Sequence, residues 1–161
     1  MTNRLTLSVA VALCLSATAA LADDARLCSR YVLFGEYELA FKPCKALAEQ
    51  GNASAQSSLG YMYELGLGVT LNYDEALHWY RAAAEQGLAR AQNNLGLLYE
   101  KGWGVPQNFI QAHAWYNIAA ANGGEYASED RNRIASQMTS QQIAEAQALA
   151  VQCMNSNYTE C

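Results

Sequence analysis

The feature that most constrains this chain is an internal repeat of 36 residues. Residues 51–86 align with residues 87–122 without a gap, and 17 of the 36 paired positions are identical. A period of this length is typical of helical hairpins that stack in a row, because one hairpin cannot bury its apolar face alone. The identical pairs are Gly51/Gly87, Ala53/Ala89, Ala55/Ala91, Gln56/Gln92, Leu59/Leu95, Gly60/Gly96, Tyr63/Tyr99, Glu64/Glu100, Gly66/Gly102, Gly68/Gly104, Val69/Val105, Asn72/Asn108, Ala76/Ala112, Trp79/Trp115, Tyr80/Tyr116, Ala83/Ala119 and Ala84/Ala120.

Each repeat has the pattern of two helices joined by a glycine-containing turn. In the first repeat, Ala55, Leu59 and Tyr63 share one helical face, and the second half of the repeat has a similar apolar stripe. Gly60 and Gly96 lie inside the first helices, where glycine costs up to about 1 kcal/mol relative to alanine. We therefore expect a neighbouring helix to approach closely at both positions.

The second helix of each repeat begins with an asparagine. Asn72 and Asn108 are placed as N-cap residues, and Glu75 and Gln111 follow three residues later, as in a capping box. Thr139 and Gln142 have the same spacing near the C-terminus.

The chain ends depart from the repeat, as terminal units of stacked hairpins usually do. The predicted fold class is all-α: a short α-solenoid of antiparallel helix hairpins, with two full repeats and a cap at each end. The predicted organisation is a signal peptide at 1–22 and a solenoid at 23–161, which comprises a degenerate hairpin at 24–50, repeats at 51–86 and 87–122, capping helices at 123–153 and a tail at 154–161.

The first 22 residues resemble a secretory signal peptide. Arg4 gives a basic start, residues 5–17 are almost all apolar or small, and Ala20-Leu21-Ala22 fits a cleavage site. The apolar run is too short to span a bilayer comfortably. We therefore predict a periplasmic or secreted protein that is not integral to the membrane.

The net charge of the mature chain disfavours nucleic acid as a partner. Removing Arg4 from the ten Lys and Arg residues leaves nine, against fifteen Asp and Glu residues, so the formal charge is −6. An acidic chain without a basic cluster repels phosphate backbones.

The quoted residues resemble the Sel-like repeat family, a branch of the tetratricopeptide-like helical repeats. Its pattern of Ala-x-Ala-Gln-x-x-Leu-Gly-x-x-Tyr, Gly-x-Gly-Val, Ala-x-x-Trp-Tyr and Ala-Ala occurs twice. The resemblance implies an α-solenoid that acts as an adaptor or scaffold without catalysis. It also implies an exported bacterial protein of envelope, signalling or host-contact assemblies, here expected to be monomeric.

Partner contacts are expected where the two repeats differ, since the identical residues are explained by packing. On the first helices the differing pairs are Ser57/Asn93, Ser58/Asn94 and Tyr61/Leu97, and in the loop Leu67 is replaced by Trp103. In this architecture the first helices line the concave face. The predicted surface for a protein or peptide partner is Ser57, Tyr61, Asn93, Leu97 and Trp103, with the alternative that Trp103 folds back onto its neighbour.

Signatures of catalysis are missing from the sequence. It contains no Ser-x-x-Lys, Gly-x-Ser-x-Gly or His-Glu-x-x-His motif, and its histidines, His78 and His113, are offset by 35 residues instead of 36. Each is expected to be a surface or part-buried helix residue, and no cofactor or metal site is predicted. Two alternatives remain: a glycan-binding module that stacks sugars on Tyr61 and Trp103, and a penicillin-binding protein or weak β-lactam hydrolase like some cysteine-rich relatives.

Four cysteines remain after the signal peptide, and an exported chain favours their pairing as disulfides. Three connectivities are possible. Cys28 and Cys44 are equidistant from the expected turn at Gly35-Glu36, so an antiparallel hairpin would bring them to the same height. We predict Cys28–Cys44 and Cys153–Cys161, because crossed pairs would require the two ends of the solenoid to touch.

Overall fold

The computed structural model describes residues 23–158 and Cys161, so the predicted signal peptide at 1–22 lies outside the described residues. The described part of the chain is helical and has no strand, which confirms the all-α prediction. The helices are α1 (23–34), α2 (Tyr37–Glu49), α3 (Ala53–Leu65), α4 (Tyr73–Ala84), α5 (Ala89–Lys101), α6 (Phe109–Ala121), α7 (Ala127–Ala135) and α8 (Ser140–Asn155).

The helices pack in chain order. Helix α3 pairs with α4, and α5 pairs with α6, so that each 36-residue repeat is one hairpin. The hairpins then stack, since α2 contacts α3, α4 contacts α5, and α6 contacts both α7 and α8. This succession of neighbour contacts is the predicted α-solenoid.

Glycine makes the packing inside each hairpin possible. A Cβ atom added at Gly60 would lie 2.6 Å from Cδ1 of Tyr80, and one added at Gly96 would lie 2.8 Å from Cδ1 of Tyr116. Both tyrosine rings are fully buried. The two glycines therefore let α4 and α6 approach α3 and α5, as their positions inside helices predict.

The N-caps form as predicted, but only one capping box does. Asn72 Oδ1 accepts hydrogen bonds from the backbone N–H groups of Asp74 and Glu75, and Asn108 caps α6 in the same way. The Glu75 side chain does not complete a box, because it accepts the indole N–H of Trp79 at 3.2 Å. The complete capping box is the one at Thr139, where α8 begins.

The cysteines pair as Cys28 with Cys44 and Cys153 with Cys161, with Cα–Cα distances of 4.8 and 4.9 Å. The first pair joins α1 to α2 across the turn at Gly35, and the second joins the end of α8 to the tail. Each pair thus fixes one end of the stack. No helix in residues 23–158 has both the length and the apolar character needed to cross a bilayer.

Candidate functional site

A groove of about 460 Å³ runs between the first helices of the two repeats. We call it the α3–α5 groove and define it by its eight lining residues. They are Val32, Tyr37, Ser58, Tyr61, Glu64, Arg90, Asn94 and Leu97.

The repeat itself explains why these residues meet. Ser58, Tyr61 and Glu64 are spaced by three residues, which places them on one face of α3. Asn94 and Leu97 are the equivalents of Ser58 and Tyr61 on α5, one repeat later. Because α3 and α5 belong to successive hairpins, the positions at which the repeats differ converge on the same groove.

The N-terminal hairpin forms the remaining wall. Val32 of α1 and Tyr37 of α2 reach the groove, and the Tyr37 ring lies 6.3 Å from the Tyr61 ring between centroids. The start of α2 is held by the first repeat, because a Cβ at Gly68 would lie 2.6 Å from the backbone of Tyr37. Only a glycine at this loop position permits such an approach.

The structure brings two of the five predicted contact residues together in the groove, Tyr61 and Leu97. Tyr61 is 40% exposed. Ser57 is fully buried, and its Oγ accepts a hydrogen bond from Arg90 Nε at 3.2 Å, so it has no surface to offer a partner. Asn93 is half-buried and donates to Asp130 on α7 at 3.2 Å.

Trp103 lies outside the groove. Its ring stacks on Tyr73 at 5.0 Å between centroids and 14° between planes, and it packs against the apolar cluster formed by α4, α5, α6 and α8. Trp103 thus folds back onto a neighbouring helix, as the alternative expects, and remains partly exposed. Of the two aromatic residues named for the glycan-binding alternative, Tyr61 therefore lines the groove and Trp103 does not.

Glu64 is the buried charge of the groove. Its Oε2 accepts the Tyr80 hydroxyl at 2.6 Å, and among the described residues it forms no ion pair. Burial raises the pKa of Glu64, and the Tyr80 hydrogen bond offsets only part of that effect. The carboxylate is therefore poorly compensated where it meets the groove.

Glu100 is the equivalent residue of the second repeat, and its surroundings differ. Its Oε2 accepts the Tyr116 hydroxyl at 2.8 Å, and both of its oxygens accept hydrogen bonds from the Arg133 guanidinium at 2.8 Å. Lys101 Nζ is a further donor at 2.9 Å. Burial acts to raise the pKa of Glu100, but these donors outweigh it and lower the pKa to about 2.

Arg90 is the second charged residue of the groove. It begins the face of α5 on which Asn94 and Leu97 also lie, and its Nε is bound to Ser57. The groove thus combines one carboxylate, one guanidinium, two tyrosine rings and an aliphatic wall. Such a mixture suits the side chains of a polypeptide.

The histidines do not form a site. His78 is exposed, but His113 is buried, so the expectation of a surface or part-buried position is wrong for His113. Burial and the charge of Arg131 lower the pKa of His113. Within the described ranges, no group of three or more His, Cys, Asp or Glu residues is arranged to hold a metal ion.

Glu64, Tyr37 and Arg90 are groove residues that the repeat comparison does not single out. Tyr37 lies before the two full repeats and recurs as Tyr73 at the offset of 36, and Glu64 recurs as Glu100, as packing residues would. Arg90 corresponds to Ser54 and has no identical counterpart. Glu64 differs from Glu100 in the residue that follows 33 positions later. That residue is Leu97 for Glu64 and Arg133 for Glu100, and the two correspond at the same offset of 36.

Comparison with known proteins supports the reading of the repeats. The Sel1 repeat profile matches residues 53–88 and residues 89–124, two adjacent units of the period seen in the sequence. No curated protein shows significant sequence similarity to the chain.

Among the solved structures that resemble this one are two proteins with the same kind of repeat. A protective antigen of uropathogenic Escherichia coli strains, which displays an SLR fold, is 31% identical with a TM-score of 0.79 and covers 86% of the chain. A Sel1 repeat protein from Oxalobacter formigenes is 39% identical with a TM-score of 0.62 and covers 66% of the chain. The chain spans 31% and 44% of these two proteins, which is less than half of either.

Proposed function

Because the chain belongs to the Sel-like repeat family, we propose that it is a non-catalytic adaptor or scaffold of the cell envelope. Its partner is a protein or peptide that binds in the α3–α5 groove. The observation that carries the proposal is the convergence of the differing positions Ser58, Tyr61, Asn94 and Leu97 on one groove. Identical positions build the hairpins, so divergent positions that share a surface are the place for a specific contact.

The composition of the groove fits a polypeptide ligand. Tyr61 offers a large amphipathic ring of the kind enriched among interface anchors. Leu97 and Val32 supply apolar area, while Asn94 and Arg90 supply hydrogen-bond donors. A groove of about 460 Å³ accommodates one or two side chains and the backbone that connects them.

The proposed location is periplasmic or secreted. Two features support it: the secretory pattern of residues 1–22 and the close approach of the cysteines in two pairs. Disulfides persist in oxidising compartments outside the cytoplasm.

Site-specific cross-linking in the native envelope tests the proposal. The photoreactive amino acid p-benzoylphenylalanine replaces Tyr61 in the groove or, as a matched control, Tyr126, an exposed tyrosine outside it. We expect one discrete cross-linked protein from position 61 and none from position 126. Equal cross-linking from both positions, or none from position 61, would contradict groove binding.

Two further assays examine the alternatives. The glycan-binding module would be favoured if the purified protein sediments with cell-wall sacculi and if Tyr61→Ala abolishes this sedimentation. Hydrolysis of nitrocefin would favour the β-lactam hydrolase.

A further inference from the structure

The two repeats place the same glutamate against different neighbours. In the second repeat, Glu100 binds the Arg133 guanidinium with both oxygens. In the first repeat, Glu64 keeps the tyrosine hydrogen bond but has no cation as a partner in the described part of the chain. The difference lies in the hairpin that follows each glutamate.

The repeat register identifies the residue responsible. Arg133 lies 33 residues after Glu100, and Leu97 lies 33 residues after Glu64. Helix α7 therefore presents to Glu100 the position that α5 presents to Glu64. Where the last hairpin supplies a guanidinium, the second repeat supplies the short apolar side chain of Leu97.

On the basis of the groove binding proposed above, we infer that the partner inserts an arginine side chain into the α3–α5 groove and pairs it with the Glu64 carboxylate. Arg133 is the internal example of this interaction. The planar guanidinium matches both oxygens of a carboxylate, which a lysine ammonium does not. Tyr37 and Tyr61 flank the same space, where aromatic faces attract a guanidinium.

Arg90 in the same groove is compatible with this pairing. In the second repeat Glu100 holds two cations at once, because Lys101 Nζ lies 2.9 Å from its carboxylate while Arg133 is also bound. A second cation beside the carboxylate thus accompanies the pair without displacing it. Arg90 is also held by Ser57, on the α3 wall of the groove.

A small-molecule probe tests the inference in the mature chain. Nα-acetyl-arginine methylamide is titrated in nuclear magnetic resonance experiments, and the citrulline analogue serves as a neutral control of nearly the same shape. We expect the arginine compound to shift the amide signals of Tyr61, Arg90 and Leu97. Binding of the citrulline analogue should be at least about tenfold weaker, the factor expected for the loss of one charge-assisted pair.

Two protein variants accompany the probe. Glu64→Gln keeps an oxygen that can accept the Tyr80 hydroxyl, and it should weaken arginine binding at least about tenfold. Glu85→Gln removes an equal charge from an exposed position outside the groove and should leave binding unchanged. Equal binding of both compounds, or an unchanged affinity in Glu64→Gln, would overturn the inference.

Leu97→Arg provides a second test, and its main comparison is made between variants that retain Glu64. This variant places an arginine at the position that corresponds to Arg133 of the next hairpin. Its guanidinium should therefore pair with the Glu64 carboxylate of the same chain. Probe binding should fall at least about tenfold relative to Leu97→Gln, and that difference should vanish in the Glu64→Gln background. Probe binding retained by Leu97→Arg would overturn the inference.

The two proposals fail in different ways. If the partner cross-links from position 61 as strongly in Glu64→Gln as in the wild type, the groove binds a partner but the arginine pairing is wrong. If the probe binds through Glu64 and no protein cross-links from position 61, the guanidinium site stands and the adaptor function is wrong.

Discussion

The two repeats have nearly the same core and differ in what covers their buried glutamates. Tyr80 and Tyr116 are both fully buried, each against a glycine of the neighbouring helix, and each donates to its glutamate. The two repeats differ at the glutamates themselves: Glu100 is paired with Arg133 of the last hairpin, whereas Glu64 forms no ion pair among the described residues. The same scaffold can therefore be closed by its own chain or kept open for another protein.

Each repeat is flanked by its own cysteine pair. Replacing these cysteines should have the largest effect on the free energy of unfolding. Replacing Cys28 and Cys44 with serine should lower the free energy of unfolding by about 3 kcal/mol and loosen the wall of the groove. The 153–161 pair closes a loop of half the length, 8 residues against 16, so its loss should cost about 0.6 kcal/mol less. Chemical denaturation measures both values. A peptide that links Cys28 or Cys44 to Cys153 or Cys161 in a non-reducing digest would contradict this pairing.

The second prediction tests whether the two cores are equivalent. Gly60→Ala and Gly96→Ala should each lower the free energy of unfolding by about 1 to 3 kcal/mol, because the added methyl group meets a buried tyrosine ring. The gain in helix propensity offsets at most about 1 kcal/mol of this. Thermal unfolding should show losses of similar size. A loss confined to one glycine would show that the repeats pack differently.

The third prediction is that replacing the two glutamates has different effects on the free energy of unfolding at neutral pH. Glu100→Gln should lower the free energy of unfolding by about 1 to 2 kcal/mol, because it removes an ion pair with a half-exposed arginine. Glu64→Gln should leave stability unchanged or raise it slightly, since it removes a buried carboxylate that has no ion-pair partner. A larger loss for Glu64→Gln than for Glu100→Gln would contradict the account.

These effects should change oppositely with pH. The pKa of Glu100 is lowered from 4.5 to about 2, so its stabilisation is complete above pH 4.5 and is lost as the pH falls toward 2. The pKa of Glu64 is raised, so its contribution is most favourable at low pH and is lost as the pH rises through that pKa. Denaturation curves of the two Gln variants between pH 3 and 7 would show this difference.

The fold could be predicted from the sequence because every level of the pattern agrees. The period, the apolar stripes, the asparagine caps and the helix glycines all indicate the same hairpins. The groove was predictable in part. Tyr61 and Leu97 differ between the repeats and line the groove, whereas Ser57 also differs but is fully buried. Trp103 could not be placed, because its stacking on Tyr73 depends on how one hairpin meets the preceding one.

The smallest expected effect on stability comes from the groove surface. Tyr61→Ala should change the free energy of unfolding by less than about 0.5 kcal/mol, because the side chain is 40% exposed. It should nevertheless abolish copurification, without cross-linking, of the partner that cross-linking from position 61 identifies. Trp103→Ala is the matched control: it should lower the melting temperature, since Trp103 packs on Tyr73 and the core, and should leave partner binding intact. The reverse pattern would indicate that the partner binds the Trp103 loop instead of the groove.

The most direct test of the central claim is cross-linking from position 61 in the native envelope, compared between Leu97→Arg and Leu97→Gln. The claim is that the first repeat keeps open, for a partner, a site that the second repeat closes with Arg133. The predicted result is that the cross-linked partner disappears in Leu97→Arg and remains in Leu97→Gln. Equal cross-linking in the two variants would contradict the claim.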